Sequence, residues 1–449
     1  MTTTTLPGRK SLPCAIPDTP LAAALPGIET CVHCGFCLQA CPTYVNLEDE
    51  NDSPRGRIVL MRSVVEGELP LDDPSVQTHI DRCLGCRACE TACPSGVPYG
   101  QLLEATRATL RAAHPTPLLG RIVLGVFERP VVLRVMLFAS RVMRATGLPS
   151  VFARVGGRLG FASAMLASTR NRLRERDYDF GMPGSRGAVA LLVGCVMDGL
   201  FSRTNRATRR TLRANDYRIR GAPGQVCCGA LHAHAGDLEA ARTLARKNIE
   251  ALESSGADFI GVNAAGCGAM MKEYGHLLAD DPAWVTRAAN VAARVRDVSE
   301  LLAAAGPRAG GPLPTRVTYD APCHLLHAQR IAAPPLAVLR AIPDLTLIPL
   351  TDAEQCCGAA GIYNLLEPAT SNAVLAPKLR HIASTGADWV ATGNPGCLMQ
   401  IGAGLRRAHA RAHAVHPIDL LDASYAELSR QQPDQIAHAP LDSAVGADG

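Results

Sequence analysis

Two short cysteine runs constrain this chain more than anything else in it. The first is Cys31-x2-Cys34-x2-Cys37-x3-Cys41-Pro42, and the second is Cys83-x2-Cys86-x2-Cys89-x3-Cys93-Pro94. This is the spacing of a two-cluster bacterial ferredoxin. A cubane offers an iron at each corner, and each iron needs one thiolate. Two intervening residues let a tight turn aim successive sulfurs at neighbouring corners, while the fourth cysteine is carried off to the other cluster. The pattern therefore assigns Cys31, Cys34, Cys37 and Cys93 to one [4Fe–4S] cluster, and Cys83, Cys86, Cys89 and Cys41 to a second. The proline after each fourth cysteine biases that cysteine toward an extended conformation and ends any helix there. Zinc sites usually pair two C-x2-C knuckles, four ligands in all, which does not describe two triple cores.

The chain has 17 cysteines. With no apolar leader in MTTTTLPGRKSLPCAIPDTP and no apolar run long enough for a membrane span, a reducing cytosol is expected. There, so many cysteines argue for metal rather than disulfides. Between the runs, Ser53 reads as a helix N-cap with Pro54 at the first helical position. Arg55 and Arg57 follow, with two readings open. They are either a solvated helix start or positive charge that offsets anionic clusters and raises a potential.

A second constellation begins near Gly187. Four apolar strand candidates, AVALLVGC, DFIGVNAAGC, RVTYDAPC and DWVATGNPGC, lead to Cys195, Cys267, Cys323 and Cys397. Between them stand Cys227-Cys228-Gly229 and Cys356-Cys357-Gly358. The two sets are related by a nearly constant offset of 128–130 positions, so this half is a duplication of two α/β lobes. Ligands of open α/β sheets bind beyond the carboxyl ends of the strands, and a following helix N-terminus favours a thiolate. Each lobe is thus a candidate metal or cluster site. The competing reading is buried small hydrophobes, which a vicinal pair repeated in register argues against. His232, His234, His324 and His327 lie nearby and carry little weight.

Between Leu118 and Arg220 there are nineteen arginines, no lysine and six acidic residues, a net +13 in a chain of net +4. Pro130 to Met143 has a helical pattern with Arg134, Arg141 and Arg144 on one face. Such a helix suits an anionic membrane surface, a partner subunit, or a linker packed on its own core. The small overall charge gives no reason to expect nucleic acid. No G-x-G-x-x-G follows a strand candidate, and neither a Walker A sequence nor G-x-S-x-G is present. Nothing marks a nicotinamide, flavin or catalytic site on this chain.

The expected fold is α+β and multidomain, with a mainly helical two-cluster ferredoxin domain followed by two duplicated α/β CCG lobes. The expected boundaries are a flexible 1–20, the ferredoxin domain 21–115, a basic helical linker or docking segment 116–186, lobes 187–312 and 313–430, and a flexible tail 431–449.

The chain resembles the iron–sulfur subunits of glycolate oxidase (glycolate dehydrogenase). The residues that carry the resemblance are CVHCGFCLQACPTY at 31–44, DSPRGRI at 52–58, DRCLGCRACETACPSGVPY at 81–99, AGCGAMMKEYG at 265–275, CHLLHAQ at 323–329 and CCGAAGIY at 356–363. The resemblance implies an oxidoreductase complex in which FAD-bearing partner subunits oxidise glycolate to glyoxylate. This chain would bind no substrate, would pass electrons toward a quinone or other acceptor, and would be inactive alone. It would be cytoplasmic, or peripheral on the inner face of the membrane. Glycerol 3-phosphate or lactate oxidation is the alternative, and a heterodisulfide-reductase-like thiol–disulfide enzyme is a further one. Lobes of the latter that hold a non-cubane cluster end in C-x2-C. Here Met270 and Gln400 stand at the second cysteine position, which argues against such a cluster.

Overall fold

A computed structural model describes residues 14–431. Of the two ends expected to be flexible, 1–13 and 432–449 lie outside the described residues. A smaller unit is built mainly of residues 14–116 and a larger one mainly of residues 117 onward.

The smaller unit is helical, and among its described residues there is no strand. Ser53 is extended and accepts a hydrogen bond from the Gly56 amide at 2.9 Å, and Pro54 opens the helix Pro54–Val65. Tyr99–Ala113 buries Tyr99, Leu102, Leu103, Thr106 and Leu110, a helical stripe. These two helices and Pro74–Asp81 enclose a core that includes Leu21, Ile28, Met61 and Ile80. Cys31, Cys37, Cys83, Cys89 and Cys93 pack in or against that core. Pro42 does not merely end a helix. It sits at the first position of a short one, Pro42–Leu47, with extended Cys41 as its N-cap.

The larger unit begins with four helices, Leu118–Glu128, Pro130–Ala145, Leu148–Phe152 and Gly157–Ser168. Ala164, with Phe161 and Met165 beside it, packs on Ala403. Eight strands follow, β1 (Ala188–Leu191), β2 (Arg218–Arg220), β3 (Phe259–Val262), β4 (Val295–Asp297), β5 (Thr315–Tyr319), β6 (Leu345–Ile348), β7 (Trp389–Ala391) and β8 (His413–Val415). They make two four-stranded sheets of the same order, β2-β1-β3-β4 and β6-β5-β7-β8. Every pair is parallel, with Val189 opposite Phe259 and Val317 opposite Trp389. β1 is buried along its whole length, as a central parallel strand covered on both faces must be. β2, at an edge, alternates exposed arginines around Ile219, which blunts that edge.

The two sheets do not have separate interiors. Val189 and Leu191 of β1, Val317 and Tyr319 of β5, and Val415 of β8 belong to one hydrophobic core, with Leu212, Val338 and Tyr425.

Candidate metal centres

Both C-x2-C-x2-C loops take the same backbone path. Left-handed residues fall two positions after the first cysteine and one after the second. These are His33 (φ 56) and Gly35 (φ 86) in the first run, and Gly85 (φ 62) and Arg87 (φ 63) in the second. The glycine occupies a different one of the two positions in each run, so the shape belongs to the cysteine spacing rather than to one glycine. Cys31, Cys34, Cys37 and Cys93 line one hollow together with Cys89, Pro54, Arg55, Ile58 and Tyr99. Burial pushes the Cys37 thiol up to about 11, so it stays neutral unless a cation draws off its proton.

Cys41 has other neighbours. Its sulfur is 3.2 Å from Thr43 Oγ1, 3.6 Å from the Asp52 carbonyl and 3.9 Å from Arg57 Nη1. The Tyr99 hydroxyl donates toward Cys83 Sγ at 3.7 Å. Cys41, Cys83, Cys86 and Cys89 are all buried. Arg57 is 0% exposed and ion-paired with Asp52 at 3.1 Å, so it is no solvated helix start. Arg55 is at the surface and pairs with Glu50 at 2.6 Å. Asp49, Asp52 and His79 come together, but Asp52 is already held by Arg57 and by Arg82 at 3.0 Å, so its carboxylate is engaged by arginine.

In the larger unit, topology gathers eight further cysteines. An order of 2-1-3-4 reverses direction between the first and third strands, and ligands collect outside the carboxyl ends there. Cys195 follows β1 and Cys267 follows β3, while Cys323 follows β5 and Cys397 follows β7. The Cys-Cys-Gly tripeptides lie after β2 and β6. Their glycines are left-handed, at φ 90 for Gly229 and φ 84 for Gly358. A Cβ at Gly358 would come within 2.5 Å of the Ser371 carbonyl. Only glycine lets the vicinal pair turn so close to the next helix.

In the first lobe the thiols run in a chain, Cys195 to Cys227 at 3.8 Å, then Cys228, then Cys267. In the second they run Cys323, Cys356, Cys357, and then Cys397 at 3.3 Å. The loops carrying Cys267 and Cys397 touch. The Ala265 amide donates to the Gly393 carbonyl at 3.1 Å, and the Gly266 amide to Asn394 Oδ1 at 3.2 Å. A helix N-terminus was expected to favour the thiolates, yet burial and mutual contact win. Contact with Cys227 and then burial raise Cys195, and contact with Cys357 and then burial raise Cys397. Cys227 moves the other way, lowered by its contacts with Cys195 and Cys228.

Among the described residues no three cysteine sulfurs lie within 4.8 Å of one another. A tetrahedral zinc, with Zn–S bonds of about 2.3 Å, would bring all four to about 3.8 Å. No such set of four forms among the described residues, although one thiol pair in each lobe is that close. Met270 is packed in the hydrophobic core. Gln400 is bound to Asn364 and Ser371, each at 2.9 Å. Neither replaces a fifth thiolate. His324 Nδ1 is 3.4 Å from Cys323 Sγ, and His327 Nε2 is 3.2 Å from the Glu354 carbonyl. His232 is 1% exposed, and neither ring nitrogen has a hydrogen-bond partner.

Comparison with known proteins agrees with this layout. A 4Fe-4S dicluster domain model matches residues 27–97. A cysteine-rich domain model matches 189–272 and again 317–402. The probable glycolate oxidase iron-sulfur subunit of Bacillus subtilis (strain 168) is 36% identical over 415 residues, covering 87% of this chain and 92% of that one. The glycolate oxidase iron-sulfur subunit of Escherichia coli (strain K12) is 35% identical over 386 residues, 82% of this chain and 88% of that one. Lactate utilization protein A of Shouchella clausii is 29% identical over 237 residues, 52% of this chain and 98% of that one.

Proposed function

This chain belongs to the family of glycolate oxidase iron–sulfur subunits, and from that premise we propose that it is the electron-transfer subunit of a glycolate-oxidising complex. Flavin-containing partner subunits oxidise glycolate to glyoxylate, and electrons leave through this chain toward a quinone or another acceptor. Two [4Fe–4S] clusters, when bound, supply one-electron transfer. Cys31, Cys34, Cys37 and Cys93 hold one, and Cys83, Cys86, Cys89 and Cys41 hold the other. The observation that carries this reading is the meeting of Cys93 with Cys31, Cys34 and Cys37 around one hollow. A relay must also be approachable, and Cys34, Val32 and Phe36 leave the first loop open to solvent.

The chain's own residues set the environment. Arg57 places a buried cation beside Cys41, and the hydrophobic core around Cys83 and Cys89 keeps water away. Residues 21–115 form the cluster domain, 116–186 the docking segment, and 187–312 and 313–430 the two lobes. The eight lobe thiols, Cys195, Cys227, Cys228, Cys267, Cys323, Cys356, Cys357 and Cys397, are poised for a further metal centre. Lactate is the second substrate to consider, because the lactate utilization relative spans half of this chain.

The experiment is to purify the chain anaerobically, alone and with its flavoprotein partners, and follow reduction of an artificial acceptor. Glycolate, lactate and glycerol 3-phosphate are offered in turn. The complex should respond to glycolate and the lone chain to none of them. Activity of the lone chain would refute the relay. Activity of the complex with lactate alone would keep the relay and change the substrate.

A further inference from the structure

Residues 118–159 contain seven arginines, no lysine and a single acidic residue, Glu128. Arg144 is turned inward, bonding Thr169 Oγ1 at 2.6 Å and the Leu200 carbonyl at 3.0 Å. The other six are exposed, and none has an ion-pair partner among the described residues. The same stretch leaves large apolar side chains in solvent, including Val131 at 71%, Phe138 at 60% and Leu159 at 81% exposed. Exposure on this scale is not scattered single residues, and patches of that kind mark interaction surfaces.

The helix Pro130–Ala145 shows how the two features combine. At about 100° per residue, Val131, Val135, Phe138 and Val142 fall within a sector of about 60°, and all four are exposed. Leu133, which is buried, and Leu137, which packs on Gly199, face roughly the other way. Arg134 and Arg141 stand between the two sectors and border the outward apolar face. An apolar face turned away from the protein, with cations along its margin, is the profile of a helix lying in a membrane interface.

We infer that the helices from Leu118 to Phe152 are the surface by which this subunit lies on an anionic lipid bilayer. Apolar side chains enter the boundary between headgroups and acyl chains, and the arginines meet lipid phosphates. The inference rests on the proposed relay only for where electrons go, since lipid binding is a property of this surface alone. The helix lies flat rather than spanning. It has 16 residues with Arg134 and Arg141 within it, and no described helix is long and apolar enough to cross. The surface favours lipid over a protein partner because its charge is one-sided, and lipid phosphates answer cations that border apolar groups and have no ion-pair partner. Here cations of one sign, with no acidic counterpart beyond Glu128, alternate with apolar groups.

The test uses the full chain, purified anaerobically with its clusters, and vesicles of phosphatidylcholine with or without about a third phosphatidylglycerol. It should sediment with the anionic vesicles, not the neutral ones, and be released by high salt. Arg134→Glu with Arg141→Glu should weaken binding at least thirtyfold, at about 1 kcal/mol per arginine lost. Val135→Asp with Phe138→Asp should abolish it. Both pairs are exposed, so cluster absorption should not change. Phe138→Trp adds a local reporter whose emission should shift to the blue on anionic vesicles. No sedimentation of the unaltered chain, or sedimentation of both double variants equal to that of the unaltered chain, would overturn the inference. So would loss of vesicle binding once the flavoprotein partners are bound, because that face would then belong to a protein. These results do not depend on glycolate turnover, so failure of the lipid surface and failure of the relay are told apart.

Discussion

Arg57 is the residue whose place most changes the picture. Its Nε donates to the His79 carbonyl at 2.6 Å, its Nη1 to Thr43 Oγ1 at 3.1 Å, and its Nη2 to Asp52 Oδ1 at 3.1 Å. Burial opposes its charge, but Cys83, Tyr99, Cys41 and Asp52 outweigh that and raise its pKa above the ordinary value. It is a fixed buried cation 3.9 Å from Cys41 Sγ. The sequence held a sign of this that the motif alone did not use. Arg57, Met61 and Val64 recur at helical spacing, and all three are buried, so Arg57 lies on the core stripe. Arginine is almost never fully buried without partners, and the partners, Thr43 in the helix Pro42–Leu47 and Asp52 in the turn before Ser53, lie in a preceding segment whose path no periodicity reveals. Arg57→Gln should lower the reduction potential of the cluster that Cys41 serves, by about 60 mV for each 1.4 kcal/mol of attraction lost. It should also cost about 3 kcal/mol of stability, because Asp52 loses its buried partner. Arg57→Lys should keep most of the potential. A redox titration followed by electron paramagnetic resonance would decide. A shift shared equally by both clusters, or no shift, would show that Arg57 is only structural.

The elements that carry the cysteines place the last member of each ferredoxin run differently. Cys93 closes its run on the hollow of Cys31, Cys34 and Cys37, whereas Cys41 caps Pro42–Leu47 beside Arg57. Cys93→Ser should therefore remove the same spectroscopic signal as loss of Cys31, Cys34 and Cys37 together. Cys41→Ser should instead damage the signal that depends on Cys83, Cys86 and Cys89. If Cys41→Ser matched the first group, the crossing would be wrong. The cysteine spacing was legible in the sequence, because cluster chemistry dictates it, while the sharing of thiolates between clusters is what these variants decide. Strand ends were less legible. AVALLVGC reads as one apolar run to Cys195, yet β1 stops at Leu191, while Leu192 stays 1% exposed outside it. Apolarity reports burial, not where ladder hydrogen bonds end, and the connection after a central parallel strand is itself covered. The extra residues put Cys195 at the start of the helix Cys195–Leu200. Its thiol still rises, since contact with Cys227 and burial oppose any help from the helix terminus.

Across the whole molecule, the duplication was visible as an offset between cysteines, but the fusion of its two halves was not. The residues that join them, Thr204 and Arg210 in one lobe and Asp419 and Asp422 in the other, are polar and far apart in sequence. Thr204 Oγ1 donates to Asp419 Oδ2 at 3.0 Å, and Arg210 binds Asp422 at 2.8 Å. His416 Nε2 lies 2.9 Å from the Asn263 carbonyl. This seam titrates. Burial pushes Asp419 up to about 7 from 3.8, and its Oδ1 has no hydrogen-bond partner. A carboxyl raised on folding binds its proton more tightly in the folded chain. Its favourable contribution is complete below about pH 4 and is lost as pH rises through about 7. Nearby His416 acts in the opposite direction. Burial lowers it from 6.5 to about 4, so its own cost appears as pH falls from about 6.5 toward 4. The two groups together narrow the range of best stability from both sides. Asp419→Asn removes only the alkaline limb. It keeps an oxygen for Thr204 and carries no charge, so its advantage should be least near pH 4, where the unaltered carboxyl contributes fully. Near pH 8 it should be more stable by about 1 kcal/mol, less than the full shift because the new amide nitrogen is itself buried. Denaturant unfolding of the larger unit at both pH values measures this. A stability difference that does not change with pH would mean that Asp419 is not the group that titrates at the seam.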